Sequence, residues 1–142
     1  MTINEIQDEI IEEFEAFDEW VDRYQLSAGY AKELRPMPAE DKTEKNLIDG
    51  CQSPVWFTAQ LQDGKVIYQA DSDALLVKGI VALLLHVLSG HTPQEIAKAD
   101  LYFLDRIQLR EHLSPLRSNG IAAMLKQMKL YALAFSSQPS NP

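Results

Sequence analysis

Basic residues are scarce in this chain, and cysteine is nearly absent. Its 142 residues hold 13 lysines and arginines against 21 aspartates and glutamates, a net charge of −8 with a pI near 4.8. A nucleic-acid-binding surface needs clustered cations to displace counterions from phosphates, and an anionic membrane surface repels so acidic a protein; the charge argues against both partners. Cys51 is the one cysteine, which excludes an intramolecular disulfide and a four-cysteine zinc site. The most apolar run, Ala74–Leu88, contains Lys78 and His86 and falls short of the roughly 20 residues a membrane span needs. The acidic start, MTINEIQDEIIEEFE, has neither the basic nor the apolar region of a secretory signal. Glycine-rich phosphate loops, paired metal-ligand motifs and a serine nucleophile elbow are missing too. What is present suits a packed globular protein: 46% apolar and 24% charged residues, in a length that fits one domain. The expectation is a soluble, cytoplasmic, single domain over residues 1–142, with 136–142 as a frayed tail.

The acidity is concentrated. Residues 1–50 carry 14 acids and 5 bases, whereas 51–142 carry 7 acids and 8 bases. Thr2 and Glu5 form a capping-box pattern. Ile6, Ile10, Phe14, Phe17, Val21 and Tyr24 follow at steps of three and four, which predicts one long amphipathic helix. Glu9, Glu12, Glu13 and Glu19 fall mostly off its apolar stripe. The ordinary reading is a solvated face; the sharper one is an acidic docking face for a basic partner. A second helical stretch, about Ser27–Leu34, must end before Pro36. Arg35–Lys45 has two prolines and no period, and reads as an exposed connection.

The period then changes. Val55, Phe57, Ala59 and Leu61 alternate with Trp56, Thr58, Gln60 and Gln62, as in a strand with two different faces. Asp63-Gly64 is a two-residue hairpin signal and Lys65–Ala70 the returning strand. Pairing across the turn sets Leu61 by Val66, Ala59 by Tyr68 and Phe57 by Ala70. Two strands alone are marginal, so a third, from Asn46–Ile48, or a packed helix must support them. Ala74–Ser89 is apolar nearly all round and reads as a buried helix capped by Gly90. Thr92-Pro93-Gln94-Glu95 is a helix start, Leu101–Ile107 a short helix, and Ser114-Pro115 a start for the last element. In that last element Ile121, Met124, Leu125, Met128, Ala132 and Phe135 form the apolar stripe.

Cys51 stands between Gly50 and Gln52 at an element boundary, where a side chain can be presented on a loop. Position alone leaves it open whether the thiol is reactive, because reactivity depends on a lowered pKa. His86, His91 and His112 are candidate bases for a Cys–His pair, but no spacing places any of them near Cys51, and structural histidines are the plainer reading. Asp71 and Asp73 flank Ser72 where they can cap the buried helix. Trp56 and Phe57 read as core, and Arg117, in a Ser114–Gly120 turn, as an exposed charge.

The segment Asn46-Leu47-Ile48-Asp49-Gly50-Cys51-Gln52-Ser53-Pro54-Val55-Trp56 resembles the signature of the SufE family of sulfur acceptors, in which Gly-Cys-Gln-Ser is followed by Val-Trp. Two more blocks resemble that family in the same order: Asp71-Ser72-Asp73-Ala74 with Val77-Lys78-Gly79, and Leu113-Ser114-Pro115 with Arg117-Ser118-Asn119-Gly120. Pro54 stands where many relatives carry a polar residue, a change that stiffens the segment without touching the chemistry.

The resemblance implies an α+β fold, a small antiparallel sheet packed against several helices, similar to NifU-like scaffolds. It implies that Cys51 takes sulfane sulfur as a persulfide from a SufS-like cysteine desulfurase, stimulates that enzyme, and passes sulfur to a SufBCD-like iron–sulfur scaffold complex. Gly50, Gln52, Ser53, Asp73 and Arg117 match family positions and are expected to shape or gate the cysteine loop. The chain is expected to need no cofactor or metal of its own, pyridoxal phosphate belonging to the desulfurase, and to transfer sulfur only with that partner rather than as a stand-alone enzyme. A persulfide also needs shielding from solvent reductants and oxidants, so Cys51 is expected to rest against an apolar pocket in the isolated protein. Two rivals stay open: a non-catalytic interaction module regulating a desulfurase or another basic partner, and a Cys–His hydrolase or thiol peroxidase.

Overall fold

The computed structural model describes residues 1–48, 54–107 and 117–137, with the side chains of 117–119 excepted. Helix α1 (Ile3–Glu15) opens with the expected capping box, in which the Thr2 hydroxyl and the Glu5 carboxylate each accept the other's backbone N–H. It buries Ile3, Gln7, Ile10, Ile11 and Phe14 and leaves Glu5, Asp8, Glu9, Glu12, Glu13 and Glu15 exposed. The single long N-terminal helix is not formed. The chain turns at Ala16–Glu19, and α2 runs from Trp20 to Ala31. Arg23 holds that turn, donating from Nε to the Phe17 carbonyl (2.9 Å) and from Nη1 to the Ile107 carbonyl (3.0 Å). Phe17 and Val21 are accordingly exposed, whereas Phe14 and Tyr24 are buried. Helix α2 ends short of Pro36, and the connection to the sheet contains two single-turn 3-10 helices, Ala39–Asp41 and Glu44–Asn46, with Met37 buried.

Strands β1 (Val55–Gln62) and β2 (Lys65–Ser72) form an antiparallel hairpin in the expected register, Leu61 opposite Val66, Ala59 opposite Tyr68 and Phe57 opposite Ala70. Asp63 and Gly64 supply the positive φ angles (52° and 79°) of the turn. Asn46–Ile48 contributes one bridge, Leu47 to Trp56, rather than a third strand. Support comes from α3 (Leu75–Leu88), which buries nine residues and packs against both β2 and α2. Gly90 follows at φ 86° and donates to the Val66 carbonyl (2.7 Å). Then come α4 (Pro93–Lys98) with its full capping box, α5 (Phe103–Ile107) and α6 (Arg117–Ser136). Ile121, Met124, Met128 and Ala132 of α6 are buried and join one core with α1, α3 and the sheet. Arg117 stands in the first turn of α6, so residues 117–120 are helical rather than part of a turn. Six helices and a two-stranded sheet among the described residues make the fold α+β, helix dominant.

Candidate functional site

Cys51, with Gly50, Gln52 and Ser53, lies outside the described residues. What the structure shows is how the two ends of that segment are fixed. On one side the Ile48 N–H donates to the Val55 carbonyl (2.8 Å), beside the Leu47–Trp56 bridge. On the other the Pro54 carbonyl accepts from the Ser72 hydroxyl (2.8 Å). The ends of the cysteine segment are therefore tied to the start of β1, where Val55 and Phe57 are fully buried, and to the end of β2, where Ala70 is buried opposite Phe57.

Asp71 is the electrostatic centre of this end of the molecule. Its carboxylate is nearly buried, with Lys42 Nζ 3.1 Å from Oδ2, Lys78 Nζ 3.1 Å from Oδ1, and the Ser72 N–H donating to Oδ1 (2.8 Å). Burial alone pushes its pKa up; the Ser72 N–H and the ammonium groups of Lys78 and Lys42 outweigh that, and the carboxyl titrates below its ordinary range. Lys42 also lies 5.4 Å above the ring of the half-buried Trp56, a cation–π contact. One carboxylate thus joins the connection before β1, the end of β2 and the first turns of α3.

This corrects the expected helix capping by Asp71 and Asp73. The cap residue is Ala74, with no side-chain bond, and it is Ser72 Oγ that accepts from the Ala74 N–H (3.3 Å). Asp71 is instead drawn to two lysines that its neighbours in sequence do not reveal. Asp73 is exposed, and its side chain meets no hydrogen-bond partner among the described residues. The Arg117 side chain lies outside the described residues.

Ion pairing at Asp71 has a measurable consequence. A carboxyl with a depressed folded-state pKa stabilises the fold fully above its unfolded value, about 3.9, and loses that contribution as pH falls through the lower folded value. Asp71→Asn should therefore cost about 1–3 kcal/mol at neutral pH. In thermal melts the gap to wild type should shrink as pH drops below about 4; a gap independent of pH would contradict the ion pairing.

Two of the three histidines fall within the described residues. His91 joins Val66 near the hairpin turn, roughly 20 Å along β2 from Ser72 at strand rise. His86 sits toward the end of α3, its ring edge-on to Tyr30; His112 lies outside the described residues. Among the described residues there is no group of three or more His, Cys, Asp or Glu placed to hold a metal ion, and no helix is long and apolar enough to cross a membrane.

The SufE profile, described as an Fe-S metabolism associated domain, matches residues 8–132. The chain belongs to the SufE family. An uncharacterized SufE-like protein of Synechocystis is 44% identical over 126 residues, covering 89% of this chain and 79% of its own. One from Rhizobium meliloti is 38% identical over 127 residues, covering 86% and 91%. SufE-like protein 1 of Arabidopsis thaliana, chloroplastic/mitochondrial, is 39% identical over 126 residues, which are 88% of this chain but 34% of that longer one. A hypothetical protein from Thermus thermophilus, solved in solution, superposes with a TM-score of 0.77 over 94% of this chain and 97% of that one at 24% identity, so the fold is shared. SufE membership ties the chain to iron–sulfur metabolism, and the matched span includes Cys51, all of the hairpin and Asp71–Gly79.

Proposed function

We propose that this SufE protein is a persulfide carrier: Cys51 accepts sulfane sulfur from a SufS-like cysteine desulfurase and passes it to a SufBCD-like iron–sulfur scaffold. The observation that carries this is that the family match runs across the chain's only cysteine. The Cys51 thiolate attacks the terminal sulfur of the desulfurase persulfide. A new S–S bond forms on Cys51, the old one breaks, and the desulfurase cysteine leaves as thiolate, with no net oxidation or reduction. A carrier of this kind gains from having no second thiol, because a resolving cysteine would expel the sulfur and close a disulfide. Pyridoxal phosphate belongs to the desulfurase in this scheme. Gly50, Gln52, Ser53, Asp73 and Arg117 are assigned to shaping or gating the cysteine segment, whose ends the Ile48–Val55 and Ser72–Pro54 bonds hold. The deciding experiment is intact-mass analysis after incubation with a desulfurase and free cysteine. One added sulfur, released by reductant and located on Cys51, is expected; an unchanged mass would end the carrier reading.

The exposed acidic face of α1 is assigned to steering the encounter with a basic partner. Charges on such a surface are screened within about 8–10 Å at physiological ionic strength, so association with the desulfurase should slow markedly as salt rises. An association rate that ignores salt returns the face to plain solvation.

A further inference from the structure

A cavity of about 450 Å³ opens between the end of α2, the second half of α3 and the middle of the hairpin, a size that suits a small organic molecule. Its apolar lining comes from Leu34, Ile67 and Leu85. Around this stand the exposed guanidinium of Arg35 and the carboxamides of Gln60, Gln62 and Gln69. None of these four polar groups has a hydrogen-bond or ion-pair partner among the described residues. The Ser89 hydroxyl, also in the lining, accepts from the Tyr68 N–H (3.0 Å), which leaves its own proton to donate. The one carboxylate of the lining, Glu33, stands 4.0 Å from His86 Nδ1. That contact is an ion pair only when the imidazole is protonated, and Arg35 is the one permanent cation of the lining.

We infer that this cavity binds a small organic carboxylate carrying an amide and an apolar side chain, the chemistry of an N-acylated amino acid. Arg35 offers the planar fork that pairs with a carboxylate through two N–H···O bonds. Carboxamides both donate and accept, so the three glutamines match an amide's C=O and N–H, while Leu34, Ile67 and Leu85 cover the apolar group. The same chemistry occurs in free acylated amino acids and in the last residue of a peptide. The test is a titration of the full chain followed by amide NMR, with N-acetyl-L-leucine, N-acetyl-L-leucinamide and an acetylated tripeptide ending in leucine as probes. N-acetyl-L-leucine should shift Gln60, Gln69, Leu85 and Ser89 saturably, with a midpoint in the range of roughly 1 mM. The uncharged leucinamide should bind roughly tenfold more weakly. Arg35→Gln, at an exposed position, should keep the melting temperature and erase the difference between acid and amide. Tighter binding of the tripeptide identifies a chain end as the natural source, and weaker binding a free molecule. Absence of saturable shifts, equal binding of acid and amide, or a preference that survives Arg35→Gln overturns the assignment. None of these readouts involves Cys51, so the outcome is independent of the sulfur-transfer reading.

Discussion

With Cys51 changed to serine, the protein should fold and bind its desulfurase yet leave sulfur release from cysteine at the level of the desulfurase alone. Wild type should raise that release, because moving the persulfide to a second thiol frees the first for another cycle. Serine keeps the shape and a hydroxyl, but an alcohol is far too weakly acidic to furnish the anion that attacks a persulfide. The loss is therefore of the whole stimulation rather than a fraction of it, and no sulfur should be found on the variant. Alkylating Cys51 beforehand should do the same. Reaction that is slow in isolation and faster beside the desulfurase would point to release of the cysteine segment on docking. If Cys51→Ser stimulated the desulfurase as well as wild type does, the carrier reading would fall and the non-catalytic interaction module would replace it. Turnover of an ester or peroxide by the purified protein would instead favour the Cys–His rival.

The hairpin was legible in the sequence because its causes are local. Alternation over Val55–Gln62, Asp63-Gly64 at the turn and alternation again in Lys65–Ala70 permit one register, and that register is found. The caps at Thr2 and Thr92 are local as well. The break between α1 and α2 was not legible. No proline or glycine marks Ala16–Glu19, the spacing of Phe17, Val21 and Tyr24 continues the stripe, and the turn is held by Arg23 reaching a carbonyl 84 residues away. Asp71 shows the same limit, since neither Lys42 nor Lys78 can be assigned to it from spacing. Cys51 was picked out by its uniqueness and by the blocks around it, while its surroundings lie outside the described residues.

Gly79 should not tolerate even a methyl group, and the sign of that result discriminates sharply. Alanine within a helix is intrinsically about 1 kcal/mol better than glycine, so an unobstructed Gly79→Ala in the middle of α3 would stabilise the protein. Here a Cβ would stand only 2.3 Å from Ser27 Oγ of α2, 2.9 Å from the Ser27 carbonyl oxygen and 3.1 Å from its carbon. The hydroxyl can rotate away; the carbonyl can move only if the two helices separate. Overpacking of this kind costs about 1–3 kcal/mol and at times more, and the core on both sides is fully buried at Ile80 and Leu83. We expect a net loss of about 2–3 kcal/mol, or roughly 6–12 °C in melting temperature for a domain of this size. Adding Ser27→Gly should recover part of the loss by removing Oγ, and the rest should persist because the carbonyl remains. The effect should also reach the candidate site. Lys78 precedes Gly79 and holds Asp71 at 3.1 Å, so displacing α3 from α2 draws on the ion pair beside which Ser72 holds the Pro54 carbonyl. Gly79→Ala should therefore lower sulfur transfer at temperatures below its melt, whereas a core truncation such as Met128→Ala, in α6, should lower stability with little change in transfer. A stabilised Gly79→Ala protein would show that the helices part freely, and that their close crossing does not set the position of Lys78.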